Sequence, residues 1–196
     1  IGFYNILENS KNIKVKHLIY ASTSSVYGNS TKYPSVEDDN TDKPLSFYAA
    51  TKKSNEILAY SYSAIFNLKT TGLRFFTVYG PYGRPDMALY KFVSKILNNK
   101  KIEVYNKGNH YRDFTYIDDV SNAIIKLLFK PSKKNTSYQI FNIANGNSVK
   151  LKEYIKLIEK ELKINSKKKY LKLQRGDVYK TSGSTNKIEK YISYNP

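Results

Sequence analysis

The sequence predicts an α/β fold built on a mainly parallel sheet. Helical and strand periodicities alternate along its 196 residues, as expected of strands joined by crossover helices. The apolar run His17-Leu18-Ile19-Tyr20-Ala21 leads directly into Ser22-Thr23-Ser24-Ser25. Hydroxyls therefore stand at the carboxyl end of a strand, where open α/β sheets hold their ligands. Hydrophobic residues make up 40% of the chain, enough for the core of one domain of this size.

Residues 2–9 read as an amphipathic helix already under way. With Ile1 in place of Met, and an end just past a short helical pattern at Tyr194-Asn195-Pro196, the chain reads as a piece cut at both ends. The strand over 17–21 is followed by a polar, turn-rich stretch from Gly28 to Pro44. A helix over 47–66 comes next, with Ala50, Ile57, Leu58 and Ile65 expected to face inward. A strand over 70–76 runs into Thr77-Val78-Tyr79-Gly80-Pro81, where Gly and Pro end it. Beyond that point the character is mixed: a helix from about Met87 to Asn98, a short strand over 102–105, and a loop carrying Arg112. Tyr116-Ile117-Asp118-Asp119-Val120 starts a helix whose two early acids complement the helix dipole. A strand over 138–144 ends at the Asn145-Gly146 turn, and a helix over 151–163 and a basic strand near 169–173 follow. There is no internal repeat.

A formal charge of +17 raises nucleic acid as a partner, because basic surfaces release counterions on binding phosphates. The lysines are scattered, with no recognition helix and no aromatic RNA-binding signature, so nucleic acid is not expected. Only four of the 33 basic residues are Arg, at 74, 84, 112 and 175. Three of them lie in Gly/Asp-containing stretches, Gly83-Arg84-Pro85-Asp86, Tyr111-Arg112-Asp113-Phe114 and Gln174-Arg175-Gly176-Asp177. The planar guanidinium fork suits phosphate or carboxylate where Lys does not. An anionic, phosphorylated ligand is the inference, and ion pairs with Asp113 or Asp177 are the structural alternative. With no Cys and two isolated His, disulfides, thiolate metal sites and a zinc pair are not expected. That composition suits the cytoplasm. No run is long and apolar enough to span a bilayer.

Tyr48-Ala49-Ala50-Thr51-Lys52 puts a phenol and an ammonium one helical turn apart on the expected 47–66 helix. It is the only Tyr-x-x-x-Lys pair in the chain, and it follows the hydroxyl-ended strand. An adjacent ammonium favours phenolate, and a hydroxyl such as that of Thr23 can bond the same substrate hydroxyl. This is the equipment of a proton-transferring oxidoreductase site.

With these motifs in order, the chain resembles the extended short-chain dehydrogenases that act on nucleotide sugars, and most of all the UDP-glucuronate 4-epimerases. The resemblance is strongest from Tyr20 to Asp119, through Leu45-Ser46-Phe47-Tyr48-Ala49-Ala50-Thr51-Lys52-Lys53, Thr71-Gly72-Leu73-Arg74-Phe75-Phe76-Thr77-Val78-Tyr79-Gly80-Pro81 and Gly83-Arg84-Pro85-Asp86-Met87-Ala88. It implies the C-terminal half of a Rossmann-type, doubly wound NAD domain over 1–80. A smaller mixed α/β nucleotide-sugar region is implied over 81–196, with about 114–146 returning to the Rossmann sheet. It also implies a homodimer for the full-length parent. By resemblance, Tyr48 is the acid/base, Lys52 binds the nicotinamide ribose, and Thr23 stands at the catalytic Ser/Thr position. Phe76 and Val78 line the nicotinamide, Arg112 takes the diphosphate, and Gln174 with Asp177 forms a second nucleotide-contacting loop. Ser24, Ser25 and Thr77 hold the sugar carboxylate by analogy, with Arg84 and Met87 also on the substrate side. The family's glycine-rich pyrophosphate turn is missing from this sequence, and Arg175 replaces a usual Pro.

The implied reaction is epimerisation at carbon 4 of a UDP-sugar through a 4-keto intermediate, with UDP-glucuronate as substrate and UDP-glucose as the alternative. Dehydratases of the superfamily carry an Asp-Glu pair directly after the catalytic Thr, and decarboxylases commonly a Glu. Ser24 and Ser25 occupy those positions and favour epimerisation. The rival of a different class is a noncatalytic nucleotide-binding module, against which the Thr23, Tyr48 and Lys52 set argues.

Overall fold

The computed structural model describes residues 1–132, 137–172 and 176–196. The chain begins with α1 (Gly2–Asn12), β1 (Leu18–Thr23) and a short 3₁₀ turn (Ser24–Tyr27), then α2 (Phe47–Phe66), β2 (Thr70–Phe75) and β3 (Thr77–Tyr79). It continues through α3 (Ala88–Leu97), β4 (Ile102–Tyr105), β5 (Tyr111–Tyr116), α4 (Ile117–Leu128) and β6 (Tyr138–Ile143). The last elements are β7 (Ser148–Lys150), α5 (Leu151–Leu162), β8 (Lys168–Leu171) and α6 (Asn186–Ile192).

Parallel pairing sets β1, β2 and β6 in the order β1-β2-β6. The central strand β2 is buried almost throughout, because helices cover both of its faces. Alternation along the strand divides its side chains between those faces. Leu73 enters a cluster with Val120, Ala123 and Leu127 of α4 and Ile188 and Ile192 of α6. Arg74, one residue on, reaches Glu56 of α2 on the opposite face. There α1 and α2 share Leu7 and Tyr62 in a smaller cluster with Leu68. This is the Rossmann-type doubly wound arrangement. Burial of a large apolar side chain contributes roughly 1.5–3 kcal/mol, so Leu73, Leu127, Ile143 and Ile188, all at most 1% exposed, weigh heavily in holding α4 and α6 to the sheet.

A second, mixed part surrounds another core. There Phe92 and Ile96 of α3, Ile102 and Val104 of β4 and Leu151, Ile155 and Ile158 of α5 pack around Phe114. β5 pairs in parallel with β3 and antiparallel with β7, and β4 pairs in parallel with β8. Segment 181–183 is drawn against a small cluster of Val26, Tyr27, Phe76 and Ala144: a Cβ on Gly183 would lie 2.6 Å from the Phe76 ring, so only glycine permits this approach. Among the described residues no helix is long and apolar enough to cross a membrane.

Two sequence expectations need correction. Arg112 lies in strand β5, not in a loop: pairing with β3 and β7 overrides a local sequence, Tyr111-Arg112-Asp113, that looks turn-like. Ile57 and Ile65 do not face inward but are 58% and 69% exposed. The inner face of α2 is formed by Ala49, Glu56, Ala59, Tyr62 and Ser63. Ala49 and Ala59 let the helix approach the sheet closely, and Glu56 is drawn in by an ion pair. Ala50 and Leu58 are half-buried.

Candidate active site

β1 ends in Ser22 and Thr23, and Thr23 caps the 3₁₀ turn that carries Ser24 and Ser25. Thr23 Oγ1 accepts the Ser25 N–H at 3.2 Å and donates to Ser25 Oγ at 3.2 Å. One lone pair of Thr23 therefore stays open to a ligand hydroxyl, and the Ser25 hydroxyl proton stays free to be donated onward. The start of α2 is set by Ser46, whose side chain accepts the Ala49 N–H at 3.1 Å, an N-cap that fixes the first turn and with it Tyr48. Tyr48 is 54% exposed and lines a cleft of about 610 Å³.

That cleft brings together Thr23, Ser24, Ser25 and Tyr48 with Phe76, Thr77 and Val78 from the end of β2 and from β3. Arg84 and Met87 close its far side. Lys52 is not among the cleft's lining residues. Its Nζ donates to the Ala21 carbonyl at 3.0 Å and sits 5.9 Å from the Tyr48 ring centroid. Ala21, on the same strand end, is exposed and lines the cleft.

Thr77 and Met87 also line an adjoining cavity of about 450 Å³ that contains Arg112, Asp177 and His110. The sequence-derived residues thus fall into two neighbouring spaces with a shared wall. Arg112 Nη1 donates to the Tyr111 carbonyl at 2.8 Å, and Nη2 pairs with Asp177. Burial lowers the Arg112 pKa, and Asp177 opposes the shift. Gln174 and Arg175 lie outside the described residues. Arg84 is exposed and pairs with Asp86, its Nε 3.0 Å from Oδ1. That hydrogen bond raises the Arg84 pKa and lowers the Asp86 pKa.

Three features escaped sequence reasoning. Asp113, the neighbour expected as an alternative partner for Arg112, is fully buried and accepts the N–H groups of Asn145, Gly146 and Gly183 at 2.8, 3.2 and 3.1 Å. It ties β5 to the end of β6 and to segment 181–183, and burial raises its pKa against those three bonds. His110 enters the second cavity 5% exposed. Burial, followed by the Arg112 charge, lowers its pKa. Arg74 forms a buried network with Glu56 and Tyr27. The scarcity of Arg was the one sequence signal that could have marked it.

Tyr48, the small exposed Ala21 and Phe76 line one cleft, and the Lys52 ammonium bonds the Ala21 carbonyl beside it. This donor set fits the nicotinamide-ribose end of NAD.

Comparison with known proteins identifies the family. The NAD dependent epimerase/dehydratase family matches residues 1–144. The chain is 48% identical over 210 residues to Protein CapI of Staphylococcus aureus, covering 100% of this chain and 63% of that protein. It is 41% identical over 211 residues to the probable UDP-glucuronate 4-epimerase of Rhizobium meliloti (strain 1021), covering 100% of this chain and 62% of that one. Among solved structures, the UDP-glucuronic acid 4-epimerase from Bacillus cereus in complex with UDP-glucuronic acid and NAD superposes with a TM-score of 0.91 at 35% identity. That match covers 99% of this chain and 60% of the other. The chain thus spans less than two thirds of these relatives' length. It belongs to the NAD-dependent epimerase/dehydratase family.

Proposed function

We propose that the protein carrying this chain is an NAD-dependent 4-epimerase that interconverts UDP-glucuronate and UDP-galacturonate. One observation carries the reading. The described residues lining the Thr23–Tyr48 cleft include no carboxylate, and its only charged side chain is Arg84. Dehydration or decarboxylation needs an additional proton-handling group, and the hydroxyls of Ser24 and Ser25 stand where it would be. The Rhizobium meliloti relative and the Bacillus cereus complex support the uronate substrate.

In this reading Tyr48 takes the proton of the carbon-4 hydroxyl and later returns it. The Thr23 hydroxyl, turned from Ser25 Oγ, donates to the oxygen of that hydroxyl and leaves its proton to Tyr48, and Lys52 supplies positive charge on the Tyr48 side and holds the cofactor ribose. When bound, NAD supplies the reversible hydride acceptor that lets carbon 4 be oxidised and reduced again. Phe76 and Val78 bound the nicotinamide space. Ser24, Ser25 and Thr77 donate to the sugar carboxylate, while Arg84 and Met87 form the wall behind it. Arg112 takes the diphosphate with the N–H donors not committed to Tyr111 and Asp177, and Asp177 and Gln174 complete the nucleotide end. Residues 1–80 supply the cofactor half, and 81–196 mainly the nucleotide-sugar half. A cytoplasmic homodimer completes the proposal, supported by the Cys-free composition and by exposed Ile57 and Ile65 on α2.

The test is to supply the protein with NAD and either UDP-glucuronate or UDP-glucose and to identify the products. Hydrogen bonds to a charged acceptor contribute about 1.5–3 kcal/mol each, so kcat/KM should favour the uronate by about ten- to a hundredfold. Equal efficiency on both sugars would remove the carboxylate argument, and stoichiometric carbon dioxide would replace epimerisation by decarboxylation.

A further inference from the structure

Arg74 is the one arginine of the four that no sequence motif placed in a ligand loop, and it is 4% exposed. Strand register sets Ser22, Arg74 and Asn142 side by side across β1, β2 and β6. Arg74 Nε and Nη2 donate to the two carboxylate oxygens of Glu56, each at 2.9 Å. Its Nη1 donates to the Tyr27 hydroxyl at 3.0 Å and to the Glu37 carbonyl at 2.9 Å. The Tyr27 ring lies 4.9 Å from the guanidinium carbon. Partners extend the network outward. Ser22 Oγ donates to Glu56 Oε1 at 2.6 Å, Tyr27 donates to Asn142 Oδ1 at 2.6 Å, and the Asn142 N–H reaches Glu37 Oε1 at 2.9 Å.

What these partners share is their position in the chain. Ser22 immediately precedes Thr23. Tyr27 closes the 3₁₀ turn that opens with Ser24 and Ser25. Glu56 lies one helical turn beyond Lys52 on α2. One guanidinium therefore joins the three segments that carry Thr23, the Ser24-Ser25 pair and the Tyr48-Lys52 pair. A buried ion pair of this kind is often no more stabilising than apolar residues of similar volume. Its planar, bidentate geometry does fix direction, which a lysine cannot reproduce.

We infer that Arg74, acting through Glu56 and Tyr27, is the positioning residue that sets the mutual placement of Thr23, Ser24-Ser25 and Tyr48-Lys52. It is not among the residues that line the Thr23–Tyr48 cleft. The inference rests on the proposed assignment of those groups, so the unaltered full-length protein that carries this chain must first show turnover, and a Tyr48→Phe control must lose it. Absence of turnover in the unaltered protein rejects that assignment, whereas the following results judge Arg74 alone.

The paired replacement Glu56→Leu with Arg74→Met removes both charges together and strands neither. In folded protein it should lower kcat by about a hundredfold, the scale of a small misplacement of reacting groups, with KM and UDP affinity held within about threefold. Tyr27→Phe keeps the ion pair and removes one link, and it should lower kcat by about three- to tenfold with KM unchanged. A kcat within about threefold of the unaltered protein for the folded paired variant overturns the inference. So does a kcat that falls only in proportion to the folded fraction across the series, since that is the mark of a purely structural role. Should the paired variant not fold, Tyr27→Phe and Ser22→Ala decide: unchanged kcat in both overturns the inference, and a selective fall in kcat supports it.

Discussion

Arg112 lies within one cavity beside Asp177 and His110, and the three respond to change in different ways. Its guanidinium already bonds the Tyr111 carbonyl and Asp177, so the fork is oriented before any ligand arrives. A lysine keeps the charge but loses the fork. Arg112→Lys should weaken UDP binding by about tenfold or more, measured by calorimetry, and an unchanged dissociation constant would leave Arg112 as a structural partner of Asp177. The sequence marked Arg112 and Asp177 through the scarcity of Arg and the family motif. It offered Asp113 or Asp177 as ion-pair partners without choosing, since Arg112 and Asp177 stand 65 positions apart and only the pairings of β5 and the 176–183 segment bring them together. His110 lies among the same charges, with its pKa lowered by burial and by Arg112 against Asp177 and the Tyr105 backbone. A histidine held neutral in the fold binds fewer protons there than in the unfolded chain. Its contribution to stability is therefore fully present above its unfolded pKa of about 6.5 and is lost as pH falls below that value. His17, lowered chiefly by its own burial, carries the same sign. Melting temperature should fall between about pH 7.5 and 5.5, and His110→Gln should reduce that fall. A slope unchanged by the substitution would assign the pH dependence to other groups.

At the level of elements, helix α2 carries the greatest functional weight per residue. The Ser46 cap, the first-turn position of Tyr48 and the ion pair at Glu56 all act on its orientation. Ser46→Ala should cost about 1 kcal/mol of stability by releasing the Ala49 N–H. Chemical denaturation would measure it, and a loss near zero would mean that packing alone holds the first turn. The existence and limits of α2 were legible in the sequence, but its inner face was not. Periodicity finds the inner face of a helix when apolar residues point to the core. Here small and polar residues do so, and Ile57 and Ile65 remain outside. Strand β5 was illegible for a related reason. Buried Asp113 is satisfied by three backbone N–H groups from other segments, so a local reading finds a polar loop where tertiary pairing makes a strand.

Over the whole molecule, the doubly wound sheet and the mixed part beside it leave two neighbouring cavities. Their shared residues, Thr77 and Met87, lie between β2 and α3. The order of motifs was enough to anticipate the first of them, because hydroxyls at the end of β1, a Tyr-Lys pair on the next helix and the loop after β2 all converge at the carboxyl edge of a parallel sheet. The Arg74 network was hidden because its members come from six separate segments. Their relation exists only once β1, β2 and β6 are in register. On the proposed function, the Tyr48 hydroxyl moves the proton at carbon 4 of the sugar. Tyr48→Phe removes only that oxygen, so turnover of UDP-glucuronate and the UDP-glucuronate dissociation constant should be measured together in the protein that carries this chain. Turnover should be abolished while binding is preserved. Near-normal turnover in that variant would contradict that role of Tyr48.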